Sequence, residues 1–215
     1  MRKTMVRVKI CGITNWTDAR LSVDAGADAL GFNFFEKSPR YIAPADARTI
    51  VGRLPRRIFT VGVFVNSEVA DVLRIASDVD LNALQLHGDE SPANVRRLSE
   101  YYPVMKAFRI RRGFDVKRLA RFDSADLFLL DGFDRQQRGG TGQTFDWRIG
   151  RAAKKYGRIV IAGGLTPENV ADAIAATDPF AVDICSGVEA SPGKKDRQRL
   201  YALMDAVRSG REHLA

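Results

Sequence analysis

Residues 58–65 read IFTVGVFV, a run with hardly a polar side chain in it. A strand with one wet face alternates apolar and polar residues, whereas a strand covered on both faces does not. Residues 127–131, LFLLD, follow the same rule. Strands of this kind belong to parallel sheets, whose neighbours are joined by helical crossovers. The rest of the chain supplies the crossovers. Residues 16–25 read as a helix, with Thr14 or Asn15 as N-cap and Gly26 closing it. Strands are expected over 8–11, 28–34, 83–86, 104–110, 159–162 and 181–185. Helices are expected over 44–54, 67–77, 92–102, 114–122, 145–156 and 197–210, with one more opening near Thr166. Pro44, Pro92 and Pro167 stand where first helical turns tolerate proline. These are about eight strand–helix units, the number that closes a barrel. The fold class is therefore α/β, a single (β/α)8 TIM barrel, with residues 1–215 as one domain. An open doubly wound sheet would carry GxGxxG after its first strand, and that fingerprint is absent. The chain is short for the barrel, so its loops must be tight.

The net charge of +8 narrows the partners. Its basic residues are scattered as pairs such as Arg56–Arg57, Arg96–Arg97 and Lys154–Lys155, with no basic tail and no interleaved aromatics. That pattern ranks a solvated surface first, an anionic small substrate second, and nucleic acid a distant third. Two cysteines, Cys11 and Cys185, give neither a disulfide framework nor a CxxC metal spacing. The N-terminus lacks the apolar run of a signal peptide, and no stretch approaches the roughly 20 apolar residues that span a bilayer. A cytoplasmic chain with no membrane partner is expected, monomeric by default.

Chemistry in this barrel sits at the C-terminal strand ends. Those ends hold Cys11, Asn33, Asn66, Gln85, His87, Arg109, Asp131, Gly163–Gly164 and Asp183. Cys11 alone would be read as a small core hydrophobe. Lys9 lies on the same strand face, however, and a nearby cation turns a thiol into a nucleophile or base. Lys9→Met is then expected to raise the thiol pKa. Asp131 ends an apolar strand, where partial desolvation suits a general acid; a loop hydrogen-bond acceptor is the plain alternative. Asp183 is a similar carboxylate with a less defined binding role. Cys185 has no such context and reads as structural. Gly163–Gly164 and the turn at Ser186–Gly187 follow the last two strands, where backbone N–H groups commonly hold a phosphate. The loop RGGTGQT, containing Gly142, could join them or be plain loop. Arg40 could pair with a carboxylate or simply be solvated. His87 reads as a hydrogen-bonded structural histidine, and no metal constellation is present.

The segments KICGIT, ADALGFNF, SPRYI, VGVFVN, LQLHGDE, LLDGF, GGTGQTFDW, IAGGLTPENV, VDICSGVE and PGKKD resemble the phosphoribosylanthranilate isomerase family, in order along the whole chain. The resemblance implies an Amadori rearrangement of N-(5-phosphoribosyl)anthranilate in tryptophan biosynthesis. It implies Asp131 as general acid on the ribose ring oxygen and Cys11 as general base at ribose C2. Arg40 would hold the anthranilate carboxylate. Gly142, Gly163, Gly164, Ser186 and Gly187 would hold the phosphate, and Asp183 would lie near the ribose or the amine. No metal or organic cofactor is implied. One departure stands out: a serine is expected where Cys185 stands.

Two kinds of rival remain in the sequence. Indoleglycerol phosphate synthase and the histidine-pathway aldose isomerase share the scaffold, but the first should use a lysine acid and the second an aspartate at the end of strand one, where Cys11 stands. A non-catalytic phosphate-ligand binder is the other, against which the Cys11 and Asp131 pair argues.

Overall fold

The computed structural model describes residues 6–132 and 146–212. Strands β1 (Arg7–Cys11), β2 (Ala29–Asn33), β3 (Phe59–Phe64), β4 (Ala83–Leu86), β5 (Val104–Arg109), β6 (Leu127–Asp131), β7 (Arg158–Ala162) and β8 (Ala181–Ile184) are parallel and close in sequence order, with β8 pairing back onto β1. Around them lie α1 (Trp16–Ala25), α2 (Pro44–Val51), α3 (Val69–Val79), α4 (Pro92–Ser99), α5 (Arg148–Ala153), α6 (Val170–Thr177) and α7 (Arg197–Glu212). This is the expected (β/α)8 barrel.

Strand alternation divides the core in two. Val61, Ala83, Met105, Ala107, Leu129, Val160, Ala162 and Ala181 pack together inside the barrel. Val8, Ile10, Phe32, Phe64, Leu84, Leu130, Ile161 and Val182 belong to the larger shell between strands and helices. The parity that sends Val8 and Ile10 outward sends Lys9 and Cys11 inward. A recurring device sets the strand register at the opposite end. Asp28, Asn82 and Asp126, each just before an even-numbered strand, accept from the N–H of Val8, Thr60 and Val104 on the preceding strand, at 2.8 Å each.

Local capping follows the sequence closely at α1 and α4. Asn15 accepts from Asp18 N–H at 2.9 Å, Gly26 ends α1 at φ 106°, and Ser91 accepts from Asn94 N–H at 3.2 Å. Elsewhere the expected helices shift. The segment expected as a helix over 114–122 is a 3₁₀ turn, Val116–Arg121, opened by Asp115 accepting from Lys117 N–H. The segment closes on Phe122, which packs edge-on to Phe108. The helix expected near Thr166 begins only at Val170, because Asn169 Oδ1 takes the Thr166 N–H and holds that stretch as a turn. After β8 the sequence reading missed an antiparallel ribbon, β9 (Glu189–Ser191) with β10 (Lys194–Lys195), turning at Gly193 with φ 78°.

Candidate active site

The seam between β1 and β8 is where the barrel closes. Its register sets Lys9 opposite Asp183. The Lys9 ammonium donates to both Asp183 oxygens, at 2.8 and 2.9 Å, with both side chains buried. On the other side of β1, Gly31 stands opposite Cys11. A Cβ on Gly31 would lie 2.8 Å from Cys11 Sγ and 2.9 Å from Lys9 Nζ, so this glycine is what lets lysine and thiol occupy the barrel mouth together. Just past the Ile10–Ile184 pairing, Cys185 comes alongside Cys11, close enough for each thiol to bear on the other's charge. Nothing in the sequence around Cys185 shows these surroundings; they arise only when the last strand meets the first.

Electrostatics separate the two thiols. The hydrogen bond from Cys185 does most to hold Cys11 well below its ordinary pKa; Lys9 and Lys195 reinforce it, and together they outweigh burial, which acts the other way. Cys185 is pushed up by that same bond and by burial. The two thiols are thus driven apart, Cys11 toward the thiolate and Cys185 toward the thiol. Burial alone would lower Lys9, but Asp183 and Cys11 more than offset it and raise it above its usual range. Burial pushes Asp183 up to about 6; Lys9 opposes this and the Cys11 charge adds to it. One cation is thus shared by two anions, so the cation gains from both while each anion receives only part of its field.

Glu189 gathers the neighbouring loops. Arg40, from the loop after β2, meets it side-on through Nε at 2.9 Å and Nη2 at 2.6 Å. Lys195 donates to Glu189 at 2.9 Å, to the Cys11 carbonyl at 2.6 Å and to the Cys185 carbonyl at 3.4 Å. Burial would raise the Glu189 pKa, but Arg40 and Lys195 prevail and keep it an anion. With Nε engaged, Arg40 is held rather than solvated, and its outer edge is left for a second carboxylate. Neither Glu189 nor Lys195 was singled out from sequence, since their ribbon is too short to show a strand period.

Asp131 ends β6, two strands from β8 around the ring. Its Oδ2 lies 3.1 Å from His87 Nε2, and His87 Nδ1 lies 2.8 Å from Gln85 Nε2. The ring is therefore held between the Gln85 amide and the Asp131 carboxylate, one contact to each nitrogen. The histidine expected to be structural is thus the direct neighbour of the candidate acid. Its loop is braced from below: Lys106 donates to the carbonyls of Leu86 and Gly88 at 3.2 and 2.8 Å and to Glu90 at 2.7 Å, while Glu90 accepts from Gly88 N–H.

Between these two sides lie the glycine turns. Gly163 and Gly164 both take left-handed backbone, φ 83° and 67°, which glycine adopts without steric cost. Gly187 serves differently, by close approach: a Cβ there would lie 1.9 Å from the Leu165 carbonyl oxygen. The turn after β8 is therefore seated directly on the turn after β7. Among the described residues, the N–H groups of Gly163, Gly164, Ser186 and Gly187 find no acceptor. The arrangement suits an anion held by backbone donors. Of the residues expected at the site, Gly142 lies outside the described residues. Asn33 and Asn66 brace loops, accepting from Phe35 and Asp89 N–H. Arg109 ends β5 in register with Asp131.

Comparison with known proteins fits this geometry. The family model for N-(5'phosphoribosyl)anthranilate (PRA) isomerase matches residues 8–206. An N-(5'-phosphoribosyl)anthranilate isomerase from Citrifermentans bemidjiense is 51% identical over 203 residues, covering 93% of this chain and 96% of the relative. A solved phosphoribosyl anthranilate isomerase in complex with reduced 1-(o-carboxyphenylamino)-1-deoxyribulose 5-phosphate superposes with a TM-score of 0.86 at 45% identity, over 95% of this chain and 99% of the other. Monomers of a dimeric phosphoribosylanthranilate isomerase from Thermotoga maritima give 0.85 at 44% identity, with the same coverage.

Proposed function

Because the chain belongs to the phosphoribosylanthranilate isomerase family, an isomerase family of tryptophan biosynthesis, we propose that it converts N-(5-phosphoribosyl)anthranilate to 1-(2-carboxyphenylamino)-1-deoxyribulose 5-phosphate with Asp131 as general acid and Cys11 as general base. The observation that carries this reading is the facing pair at the barrel mouth: a cysteine on β1 beside the Lys9 ammonium and a carboxyl on β6, with N–H-rich turns between them.

The substrate lies across that mouth. Its phosphate takes the free N–H groups of Gly163, Gly164, Ser186 and Gly187, with Gly142 as a further donor. Its anthranilate carboxylate takes the outer edge of Arg40, which Glu189 holds in place. Asp131 gives a proton to the ribose ring oxygen as the C1–O bond breaks, and the amine lone pair closes the C1=N bond. His87, hydrogen-bonded to Asp131, keeps the acid in position. The Cys11 thiolate then takes the C2 proton, and those bonding electrons move toward the iminium nitrogen to give the enolamine. Tautomerisation yields the ketone. Lys9 sustains the thiolate, and Asp183 anchors Lys9 and faces the ribose. No group outside the chain is required by this sequence of proton transfers.

The test follows the loss of anthranilate-type fluorescence with freshly made substrate, in wild type, Cys11→Ser and Asp131→Asn. Losing a positioned acid or base costs about 10²–10⁴-fold, so both variants should be slowed by that much. Saturable binding of a product analogue without turnover in wild type would instead mark a binder. The reading takes residues 1–215 as one catalytic domain. Monomer is the expectation from sequence and the Thermotoga maritima relative is described as dimeric, so sedimentation equilibrium decides between one copy and two. No helix among the described residues is long and apolar enough to cross a membrane.

A further inference from the structure

We propose that Cys11 and Cys185 form a redox-active dithiol, a modification site for hydroperoxides whose disulfide reversibly closes the barrel mouth. The placement carries the argument. Cys11 ends β1 and Cys185 directly follows β8, so the paired residues Ile10 and Ile184 immediately precede the two cysteines on neighbouring strands. Neighbouring strands run about 4.8 Å apart, so the two backbones leave that pairing inside the roughly 4.4–6.8 Å between Cα atoms that a disulfide accepts. A single ammonium, Lys195 Nζ, reaches the carbonyls of both residues and pins the two backbones together. Gly12, next to Cys11, leaves the space: a Cβ there would lie 3.0 Å from Cys185 Sγ. Both side chains are half-buried.

The chemistry divides between the two sulfurs. The Cys11 thiolate attacks the peroxide; the O–O bond breaks, sulfur loses two electrons to oxygen, and Cys11 becomes a sulfenic acid as hydroxide or alkoxide leaves. Cys185 then attacks the Cys11 sulfur. The S–S bond forms, the S–O bond breaks, and the hydroxyl departs as water with the Cys185 proton, which Glu189 Oε1 at 3.8 Å is placed to accept in transit. A dithiol reductant returns the two electrons. Where a serine stands at position 185, the second step has no nucleophile and the sulfenic acid is left to over-oxidise. That closure stops turnover rests on Cys11 being the base; that the disulfide forms does not.

The experiment treats the full-length reduced protein and Cys185→Ser with hydrogen peroxide, then reads intact mass, non-reducing peptide maps and turnover before and after dithiothreitol. Wild type should lose two hydrogens in mass and yield a Cys11–Cys185 linked peptide. Its activity should fall to background and return in full with dithiothreitol. Cys185→Ser should gain oxygen at Cys11 and lose activity that does not return. Sulfinic acid on wild-type Cys11 with no linked peptide would overturn the proposal, whatever the activity. A linked peptide with turnover intact would sustain the dithiol and refute the assignment of Cys11 as base.

Discussion

Gly187→Ala tests the proposed phosphate site through a contact that can be measured. The added Cβ would sit 1.9 Å from the Leu165 carbonyl oxygen, 2.9 Å from its carbon and 3.2 Å from Thr166 Cα. Real Cβ atoms do not approach closer than 3.0 Å, and every obstacle is backbone, so no side chain can swing aside. The turn after β8 must retreat from the turn after β7 by about 1 Å, and a misplacement of that size costs on the order of 10²-fold in rate. Overpacking of this kind costs about 1–3 kcal/mol, which for a chain of this length lowers Tm by roughly 2–12 °C. Position 187 has no left-handed backbone to complicate the change, so the effect is one of contact alone. Steady-state kinetics by fluorescence, with inorganic phosphate as competitor, should show kcat/KM down about 10²-fold, mostly through KM, and weaker phosphate inhibition. A Tm drop with KM and phosphate inhibition unchanged would leave the packing intact and remove the phosphate from these turns. Wild-type Tm and wild-type kinetics together would refute the contact itself.

Three further outcomes follow from the buried charges. Gly31→Ala places a methyl 2.8 Å from Cys11 Sγ and 2.9 Å from Lys9 Nζ, so it should separate them, raise the thiol pKa read by thiolate absorbance, and move the acid limb of the kcat/KM profile upward. Because Asp183 is raised to about 6 in the fold, the folded state holds its proton more tightly than the unfolded chain. That contribution is complete below the ordinary carboxylate range and lost as pH climbs through about 6, so thermal unfolding should show wild type losing ground to Asp183→Asn between pH 4 and 7. Lys106→Met leaves Glu90 buried without its cation and should cost about 3–5 kcal/mol, a Tm fall of roughly 6–20 °C. Glu90→Gln added to Lys106→Met should recover much of that loss; no recovery would deny the pair its coupling.

The barrel was legible because strands buried on both faces leave apolar runs, and because Asn15, Gly26 and Ser91 cap in ways that depend on a few adjacent residues. Lys9 and Cys11 were legible as a pair for the same reason, since strand parity is local. Asp131, Asp183, Arg40 and the glycine turns were legible one by one from their places at strand ends and loops; the contacts that join the site were not, and sequence separation explains it. Cys185 meets Cys11 only through closure of the last strand on the first. Arg40 and Glu189 are 149 residues apart, and Lys195 lies 184 residues from the carbonyl it serves. No periodicity within a window of ordinary length reports such a contact. The 3₁₀ turn at Val116–Arg121 reads as a helix in the sequence because so short an apolar spacing fits both windings.

Three buried lysines remain to be explained, because burying an ion pair is seldom stabilising against a well-packed apolar core. Their donor counts supply a reason. Lys106 uses its three N–H groups on the Leu86 and Gly88 carbonyls and Glu90; Lys195 uses its three on the Cys11 and Cys185 carbonyls and Glu189; Lys9 donates to both Asp183 oxygens. Carbonyls at the C-terminal tips of parallel strands lose their ladder partners where the chain turns into a loop, and buried carbonyls without donors are costly. A methionine could fill the same volume but would take these donors away from the carbonyls and leave the carboxylate without its cation. An arginine would offer its donors in a rigid plane, whereas the ammonium's rotate to three separate directions. Lys106 and Lys195 therefore each tie one carboxylate to the tip of one or two strands, Lys9 ties Asp183 across the β1–β8 seam, and each carboxylate in turn fixes something the chemistry uses: Glu189 fixes Arg40, Glu90 fixes the loop bearing His87, and Asp183 fixes the cation beneath Cys11. The charges sit at the strand tips because that is where the sheet leaves its own backbone unsatisfied, and the site is assembled from the groups that satisfy it.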